Sequence, residues 1–270
     1  MTDMSNDLER RFGGLTRLYG SHANVALQHS RVAVVGIGGV GSWAAEALAR
    51  SGVGSLTLID MDHVAESNIN RQVHALTQTL GQAKIEAMAE RIRGINASCQ
   101  LNLVDDFLSP GNVAQVLPES LDYVLDCTDQ VPAKIAMVLQ ARQRKQALIV
   151  CGGAGGKTNM LALRAGDLSE STHDALLGRM RTMLRREHGY ARASSQAGKP
   201  QKRVPKMGVR VLWIDQPTIL PPAWLEAKGD LSSVDTVRLQ GLACAGYGSS
   251  VTVTAAMGFA AAAEAIHTIL

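Results

Sequence analysis

The chain reads Val32-Ala33-Val34-Val35-Gly36-Ile37-Gly38-Gly39-Val40-Gly41-Ser42, and Trp43-Ala44-Ala45-Glu46-Ala47-Leu48 follows at once. The β-branched apolar run predicts a buried strand, and the pattern after the glycines predicts a helix. Glycines let the backbone approach phosphate oxygens closely, and unpaired N–H groups at a helix start attract an anion. The stretch therefore predicts a nucleotide site made by a strand, a tight turn and a helix N-terminus.

Acidic residues end two further predicted strands. Asp60 ends the strand predicted at 55–60, about 20 residues past the glycines, where an acid binds ribose hydroxyls in folds of this type. Asp126 ends the strand predicted at 121–126, and Asp129 follows it. A carboxylate at the carboxyl end of such a strand is well placed to hold Mg²⁺ beside phosphates.

Polar and basic residues follow the second strand. Asn70, Arg71 and Gln72 are consecutive, and Lys84 follows Gly81-Gln82-Ala83. A dehydrogenase with a nicotinamide cofactor has no need of this cluster. Arginine and lysine neutralise the charge that develops on a leaving pyrophosphate, so the cluster favours a site for a triphosphate.

Together these motifs resemble the ubiquitin-activating-enzyme-like adenylyltransferases over about residues 10–165. The resemblance implies a Rossmann-like, doubly wound and mainly parallel sheet, with ATP and Mg²⁺ as cofactors and an acyl-adenylate as intermediate. It implies catalytic roles for Arg71, Lys84 and Asp129, with Asp129 as the metal ligand and Asp126 nearby. The nucleotide-binding residues that it implies are Gly36, Gly38, Gly39, Gly41, Asp60, Asp62, Asn70, Arg71 and Lys84.

Further motifs resemble the members of this family that act on tRNA. They lie at residues 11–20, 40–52, 68–76 and 152–156, so this resemblance spans nearly the whole chain. It implies ATP-dependent cyclisation, with loss of water, of the threonylcarbamoyl group on a modified adenosine beside the tRNA anticodon. The threonyl carboxylate would be adenylated first, and a carbamoyl atom would then close the ring.

Three other functions stay open. One is an adenylyltransferase that activates the C-terminal Gly-Gly of a sulfur-carrier protein. Such enzymes commonly carry two Cys-x-x-Cys zinc pairs, whereas the four cysteines here are scattered, so a structural zinc is disfavoured. The others are a noncatalytic module that assembles sulfur-transfer proteins and a nicotinamide oxidoreductase. Arg71, Lys84 and Asp129 argue against both of these.

Charge is unevenly spread along the chain, whose net charge is +3. Residues 179–206, here called the basic segment, contain one acid, Glu187, and nine basic residues: Arg179, Arg181, Arg185, Arg186, Arg192, Lys199, Lys202, Arg203 and Lys206. The rest of the chain is net acidic. A basic segment on an acidic body suggests a polyanionic partner, and the resemblance makes that partner tRNA.

The length of 270 residues suits one adenylation domain, 1–270. We expect N-terminal helices in 1–30, a nucleotide-binding core in 31–165, and a helix, basic mobile loop and C-terminal strand and helix in 166–270. In the core, strands are predicted at 31–36, 55–60, 100–104, 121–126 and 147–151, with helices at 39–51, 81–94, 111–117 and 131–145. Beyond these lie a strand at 157–164, for which we expect an antiparallel direction, a helix at 173–189, a linker at 191–205 and a strand at 209–214.

The tail from 239 to 263 has no charged residue. Strand character at residues 251–254 and many small residues predict a buried strand and helix, at a homodimer seam, rather than a membrane anchor. Cys244 in this tail is predicted to be a compact packing residue. Scattered cysteines indicate a reducing cytoplasm.

The resemblance also implies an arginine that reaches the ATP site of a partner protomer. Alignment on Phe12 and Gly20 places Gly14 at that position. Arg17, about one helical turn further on, would substitute for it. Sulfur-transfer proteins are further partners that the family implies.

Overall fold

The structure is a computed structural model that describes residues 2–192, 204–221 and 246–270, with only the backbone of residues 2–8. Most of the predicted linker at 191–205 and the part of the tail that holds Cys244 lie outside the described residues. Of the described helices, none has the length and the apolarity needed to span a membrane.

The centre of the fold is a seven-stranded sheet. Its strands are β1 (Arg31–Val35), β2 (Ser55–Ile59), β3 (Gln100–Val104), β4 (Tyr123–Asp126), β5 (Ala147–Cys151), β6 (Leu163–Asp167) and β7 (Arg210–Ile214). They lie in the order β3-β2-β1-β4-β5-β7-β6, and only β6 is antiparallel to its neighbour, β7. The prediction of a doubly wound, mainly parallel sheet is confirmed.

Helices connect and flank these strands. They are α1 (Thr2–Tyr19), α2 (Ala23–His29), α3 (Gly41–Arg50), α4 (Lys84–Ile95), α5 (Val113–Val116), α6 (Val131–Arg144), α7 (Ala175–Glu187) and α8 (Val251–Ile269). The N-terminal helices are confirmed, and the core helices lie within three residues of their predicted bounds. On α7, Leu177, Met180 and Leu184 are buried, as the apolar stripe predicts.

The order of the strands determines where a ligand can bind. Strand β1 pairs in parallel with both β2 and β4. The chain runs from β1 through β2 to β3 on one side and then crosses to β4 on the other side of β1. A crevice opens beside the carboxyl ends of the strands at such a reversal, and ligands bind there in open α/β sheets. Val35 of β1 lies opposite Ile59 of β2 and Asp126 of β4, which brings the predicted acidic strand ends to this crevice.

The predicted strand at 251–254 is wrong, because these residues form the first turn of α8. Val253, Met257, Ala261 and Ala265 are fully buried and repeat at helical spacing. This face packs on α3, where a Cβ at Gly258 would stand 2.5 Å from the Val40 carbonyl oxygen. Tertiary packing against α3 therefore overrides the β propensity of the valines and threonines.

The strand predicted at 157–164 is displaced along the chain. Residues Met160–Ala162 form a short 3₁₀ turn, and β6 begins at Leu163. The Asn159 side chain accepts a hydrogen bond from the backbone N–H of Leu161 at 3.0 Å and so starts that turn. The antiparallel direction of this strand is confirmed.

Candidate functional site

A cavity of about 660 Å³, here called the large cavity, opens at the carboxyl ends of β1, β2, β4 and β5. Eight of the predicted site residues line it: Gly36, Gly38, Gly39, Asp60, Asp62, Arg71, Lys84 and Asp129. Gly41 and Asn70 are not among its lining residues. The motifs that lie far apart in the sequence are therefore brought together at one place.

The glycine turn is shaped by close backbone contacts. Gly36 has φ of +86°, a conformation that side-chain-bearing residues rarely adopt. A Cβ at Gly41 would stand 1.9 Å from the Gly36 carbonyl oxygen, so Gly41 lets α3 begin directly behind the turn. Gly38 has no neighbouring atom within 4 Å of a built Cβ, and it faces the large cavity. The open backbone at Gly38 gives room for a phosphate group.

Asp60 connects the end of β2 to the glycine turn. Its Oδ2 accepts the backbone N–H of Ile37 at 2.6 Å, and its Oδ1 accepts that of Asp62 at 2.9 Å. Burial raises the pKa of Asp60, although Lys84 and the two N–H donors act in the opposite direction. The carboxylate is thus fixed at the cavity wall, where its remaining lone pairs can accept ribose hydroxyls.

Lys84 begins α4 and is 6% exposed. Its Nζ lies 2.7 Å from Asp62 Oδ2 and 4.0 Å from Asp60 Oδ1. Its backbone N–H also donates to the Asp62 carbonyl at 2.9 Å. Two carboxylates therefore hold a nearly buried ammonium group at the cavity wall, where it can meet an anionic ligand without moving far.

Asn70 contacts the side chain of Arg71. Arg71 Nη1 donates to Asn70 Oδ1 at 3.0 Å and to the Ser67 carbonyl at 2.6 Å. Asn70 in turn donates from Nδ2 to the Ser249 carbonyl at 3.0 Å. In this geometry Asn70 orients the guanidinium of Arg71, which itself lines the large cavity.

The two acids after β4 differ in their surroundings. The side chain of Asp126 is fully buried, and its Oδ1 accepts from Lys134 Nζ at 3.1 Å and from Thr128 Oγ1 at 2.7 Å. Burial raises the pKa of Asp126, although the Lys134 ammonium opposes this shift. Asp129, by contrast, is exposed and lines the large cavity. Only Asp129 of this pair lines the large cavity.

The donor set fits Mg²⁺ bound together with phosphates. Magnesium commonly takes one or two carboxylates, waters and substrate phosphates rather than an all-protein cage. Asp129 offers such a carboxylate, and no group of three or more His, Cys, Asp or Glu side chains in the described part of the chain is arranged for a metal. A metal here would depend on the nucleotide for most of its ligands.

One part of the cavity wall and one residue that holds the wall in place are absent from the sequence prediction. Residues 106–110 line the large cavity and add the apolar side chains of Phe107, Leu108 and Pro110, and this loop has no periodic pattern. Asp174, just before α7, accepts the N–H of Gly153 at 2.8 Å and that of Leu177 at 2.9 Å. An aspartate before a helical pattern is an N-cap signal, so Asp174 was predictable.

Cys127 also lines the large cavity. Its Sγ lies 4.0 Å from Cys151 Sγ, and the contact with Cys151 and burial raise the pKa of the Cys127 thiol. A protonated thiol is a poor nucleophile, so this environment suits Cys127 to packing rather than to covalent catalysis. Arg17 is an exposed residue near the end of α1.

The fold and the cavity define a Rossmann-like domain of the nucleotide-binding class, with an arginine, a lysine and a carboxylate on the cavity wall. The model of the ThiF family matches residues 14–270. The chain belongs to the ThiF family.

Relatives of known name are similar to this chain over nearly the whole length of both chains. The tRNA threonylcarbamoyladenosine dehydratase of Haemophilus influenzae is 38% identical over 98% of this chain and 95% of its own. That of Escherichia coli K12 is also 38% identical, over 99% and 96%. The crystal structure of the E. coli dehydratase in complex with ATP has a TM-score of 0.81, with 38% identity, and the match covers 97% of this chain and 94% of the crystallised one.

Proposed function

We propose that this chain catalyses the ATP-dependent cyclisation of threonylcarbamoyladenosine beside the tRNA anticodon, with net loss of water. The observation that carries this proposal is the convergence of Arg71, Lys84 and Asp129 on the cavity that the glycine turn opens. The whole-chain similarity to enzymes that bear the name tRNA threonylcarbamoyladenosine dehydratase supports the choice of substrate.

ATP would lie with its phosphates over Gly36, Gly38 and Gly39 and its ribose at Asp60. Gly41 would support the turn by close packing. The apolar side chains of residues 106–110 offer a surface for the adenine ring. Lys84, fixed by Asp60 and Asp62, would meet the β- and γ-phosphates together with Arg71. Asn70 would act through Arg71, because its side chain bonds to that guanidinium.

The first chemical step is adenylation. An oxygen of the threonyl carboxylate attacks the α-phosphorus of ATP, the bond to the β-phosphate oxygen breaks, and pyrophosphate leaves. Arg71 and Lys84 stabilise the negative charge that grows on the leaving group, an effect that is strong in a site shielded from water. Mg²⁺, held by Asp129 and the phosphates, would supply further charge neutralisation.

The second step closes the ring. A nucleophilic atom of the carbamoyl group attacks the activated carbonyl carbon and gives up its proton. The bond from that carbon to the adenylated oxygen breaks, and AMP leaves with this oxygen. The nucleophile is tethered to its electrophile, so proximity lowers the barrier and no covalent enzyme intermediate is needed. The raised pKa of Cys127, the cavity cysteine, agrees with a route that needs no thiolate.

Partners and setting are part of the same proposal. The basic segment, with five arginines between 179 and 192, would contact the tRNA backbone. We further propose a homodimer in which Arg17 serves the partner's site, contacts with sulfur-transfer proteins, a single domain over 1–270 and a cytoplasmic location. The alternative, activation of a sulfur carrier, has less support, because the relatives that match the whole chain bear the tRNA dehydratase name.

Mass spectrometry of nucleosides tests the proposal. tRNA that carries threonylcarbamoyladenosine is incubated with the protein, ATP and Mg²⁺, and then digested. We expect that nucleoside to lose one water only when ATP is present. An unchanged nucleoside, from protein that still binds ATP, would contradict the proposal and favour the sulfur-carrier alternative. Arg71→Ala should lower the rate of pyrophosphate release by about 10²–10³-fold.

A further inference from the structure

A second cleft, of about 480 Å³, lies at the end of the parallel strands opposite to the large cavity. It opens at the amino ends of β5 and β7, whereas the large cavity opens at carboxyl ends. Its walls come from the last turns of α6, from the turn after α7 and from residues 206–210, which lead into β7. The proposed chemistry of the large cavity does not use it.

The second cleft is lined by cations without acids. Its lining includes Arg142, Lys206 and Arg210 but neither aspartate nor glutamate. Arg210 is paired with Glu264 through two hydrogen bonds of 2.8 and 2.9 Å, so its charge is compensated. Arg142 and Lys206 are exposed and have no carboxylate within ion-pair distance among the residues the structure describes. Two positive charges therefore face this cleft uncompensated.

Tyr190 forms a wall of the second cleft and is 6% exposed. Its ring packs under the guanidinium of Arg142, whose Cζ lies 5.0 Å from the ring centroid. Its buried hydroxyl has no hydrogen-bond partner within the described residues. The contact with this buried ring holds the guanidinium of Arg142 at the wall of the second cleft.

We propose that the second cleft binds one nucleotide of the tRNA, a substrate assignment that rests on the proposed function. Arg142 and Lys206 would contact its phosphate, and the ring of Tyr190 would hold the guanidinium of Arg142 in place. A guanidinium already stacked on an aromatic ring has a free face on which a base can stack. The turn at 189–191 and Lys206 belong to the basic segment, which ties this cleft to the same polyanion.

Charge reversal at matched positions tests the inference. Arg142→Glu is compared with Arg93→Glu, an exposed arginine in the last turn of α4, which is not a lining residue of the second cleft. The measurement is the Kd for tRNA that carries threonylcarbamoyladenosine, at several salt concentrations. We expect Arg142→Glu to weaken binding about tenfold and to lower the salt slope by about one, with little change for Arg93→Glu. The rate of pyrophosphate release at saturating tRNA should be unchanged in both.

Two further variants separate this site from general charge and from misfolding. Lys206→Glu should reproduce the effect of Arg142→Glu, and Tyr190→Leu, which removes the ring beside the Arg142 guanidinium, should weaken binding about threefold. Equal Kd values and salt slopes for Arg142→Glu and Arg93→Glu would overturn the inference. If the wild-type protein still cyclised the nucleoside, the proposed function would stand. A wild-type protein that neither binds nor modifies the tRNA would overturn both.

Discussion

The indole N–H of Trp43 donates to the carbonyl oxygen of Arg71 at 2.9 Å. Trp43 belongs to α3, the helix that begins at the glycine turn, and its ring meets Phe259 of α8 edge to face at 5.7 Å. The backbone of Arg71 is thus fixed by the same helix that begins directly behind the glycine turn. We infer that Trp43 is a positioning residue for Arg71.

Trp43→Phe removes this hydrogen bond but keeps an aromatic ring beside Phe259. Because the Arg71 carbonyl loses its donor, at a cost of about 1–2 kcal/mol, we expect kcat for pyrophosphate release to fall about tenfold. The KM for ATP should change less than kcat, since Lys84 and the glycine turn remain. Steady-state kinetics of pyrophosphate release measure both constants.

Trp213→Phe is the matched control for that variant. Trp213 lies on β7, is 6% exposed, and its indole nitrogen has no hydrogen-bond partner in the described part of the structure. This change removes the same atoms from a buried site, so it reports the effect of lost packing alone. An equal fall in kcat in both variants would show that the Trp43 hydrogen bond does not position Arg71.

Asp129→Asn should raise the Mg²⁺ concentration needed for half-maximal pyrophosphate release. The amide keeps the shape of the side chain but removes the charge that a hard cation prefers, so we expect a shift of roughly 10–100-fold. Asp122→Asn, at the opposite end of β4, is the control and should leave the Mg²⁺ requirement unchanged. If Asp129→Asn needed the same Mg²⁺ concentration as the wild type, Asp129 would not be a ligand of the metal.

His74 should make stability depend on pH. The imidazole is buried, and burial together with Lys84 and Arg91 lowers its pKa to about 4. The unfolded chain takes up a proton near the ordinary pKa, about 6.5, before the folded chain does. Stability is therefore lost as pH falls from about 6.5 to about 4, and the loss amounts to roughly 2 kcal/mol at pH 5.

Urea unfolding at pH 7.5 and pH 5 measures this effect. In His74→Leu the part of the pH dependence that comes from His74 is absent, so the difference between the two pH values should shrink by roughly 2 kcal/mol relative to wild type. An identical pH dependence in the two proteins would mean that His74 is protonated alike in the folded and unfolded states.

Lys134→Met should destabilise the fold by about 3–5 kcal/mol, because it leaves the fully buried carboxyl of Asp126 without its cation. The Cys151 carbonyl also loses a donor at 2.7 Å. The double variant Asp126→Leu/Lys134→Met removes both charges and should recover about 2 kcal/mol of that loss. Denaturant unfolding measures each step, and no recovery in the double variant would contradict the ion-pair account.

The central part of the fold was predictable because its signals are local. Strand β1, the glycine turn and α3 follow from a β-branched run, close-packed glycines and helical spacing, all within twenty residues. The positions of Asp60 and Asp129 followed from the rule that ligands bind at the carboxyl ends of parallel strands. From that rule we expected residues that lie far apart in the sequence to line one cavity.

Other features depend on packing that no local pattern contains. Residues 251–254 have β propensity, and only the contact of α8 with α3 makes them helical. The direction of the Asn70 side chain is set by the Ser249 carbonyl, 179 residues away. In the sequence, Lys134 cannot be distinguished from an ordinary helix residue. Only the fold buries it beside Asp126. The apolar loop at 106–110 has no period from which its place could be inferred.

Transfer of ¹⁸O from substrate to AMP tests the central claim most directly. The tRNA is prepared with both carboxylate oxygens of the threonyl group labelled, and it is incubated with the protein, ATP and Mg²⁺. If the large cavity forms an acyl-adenylate, each AMP that is released with a cyclised nucleoside carries one ¹⁸O. Two results would contradict adenylation of the carboxylate. One is cyclisation that yields unlabelled AMP, and the other is cyclisation that yields ADP together with ¹⁸O-labelled inorganic phosphate.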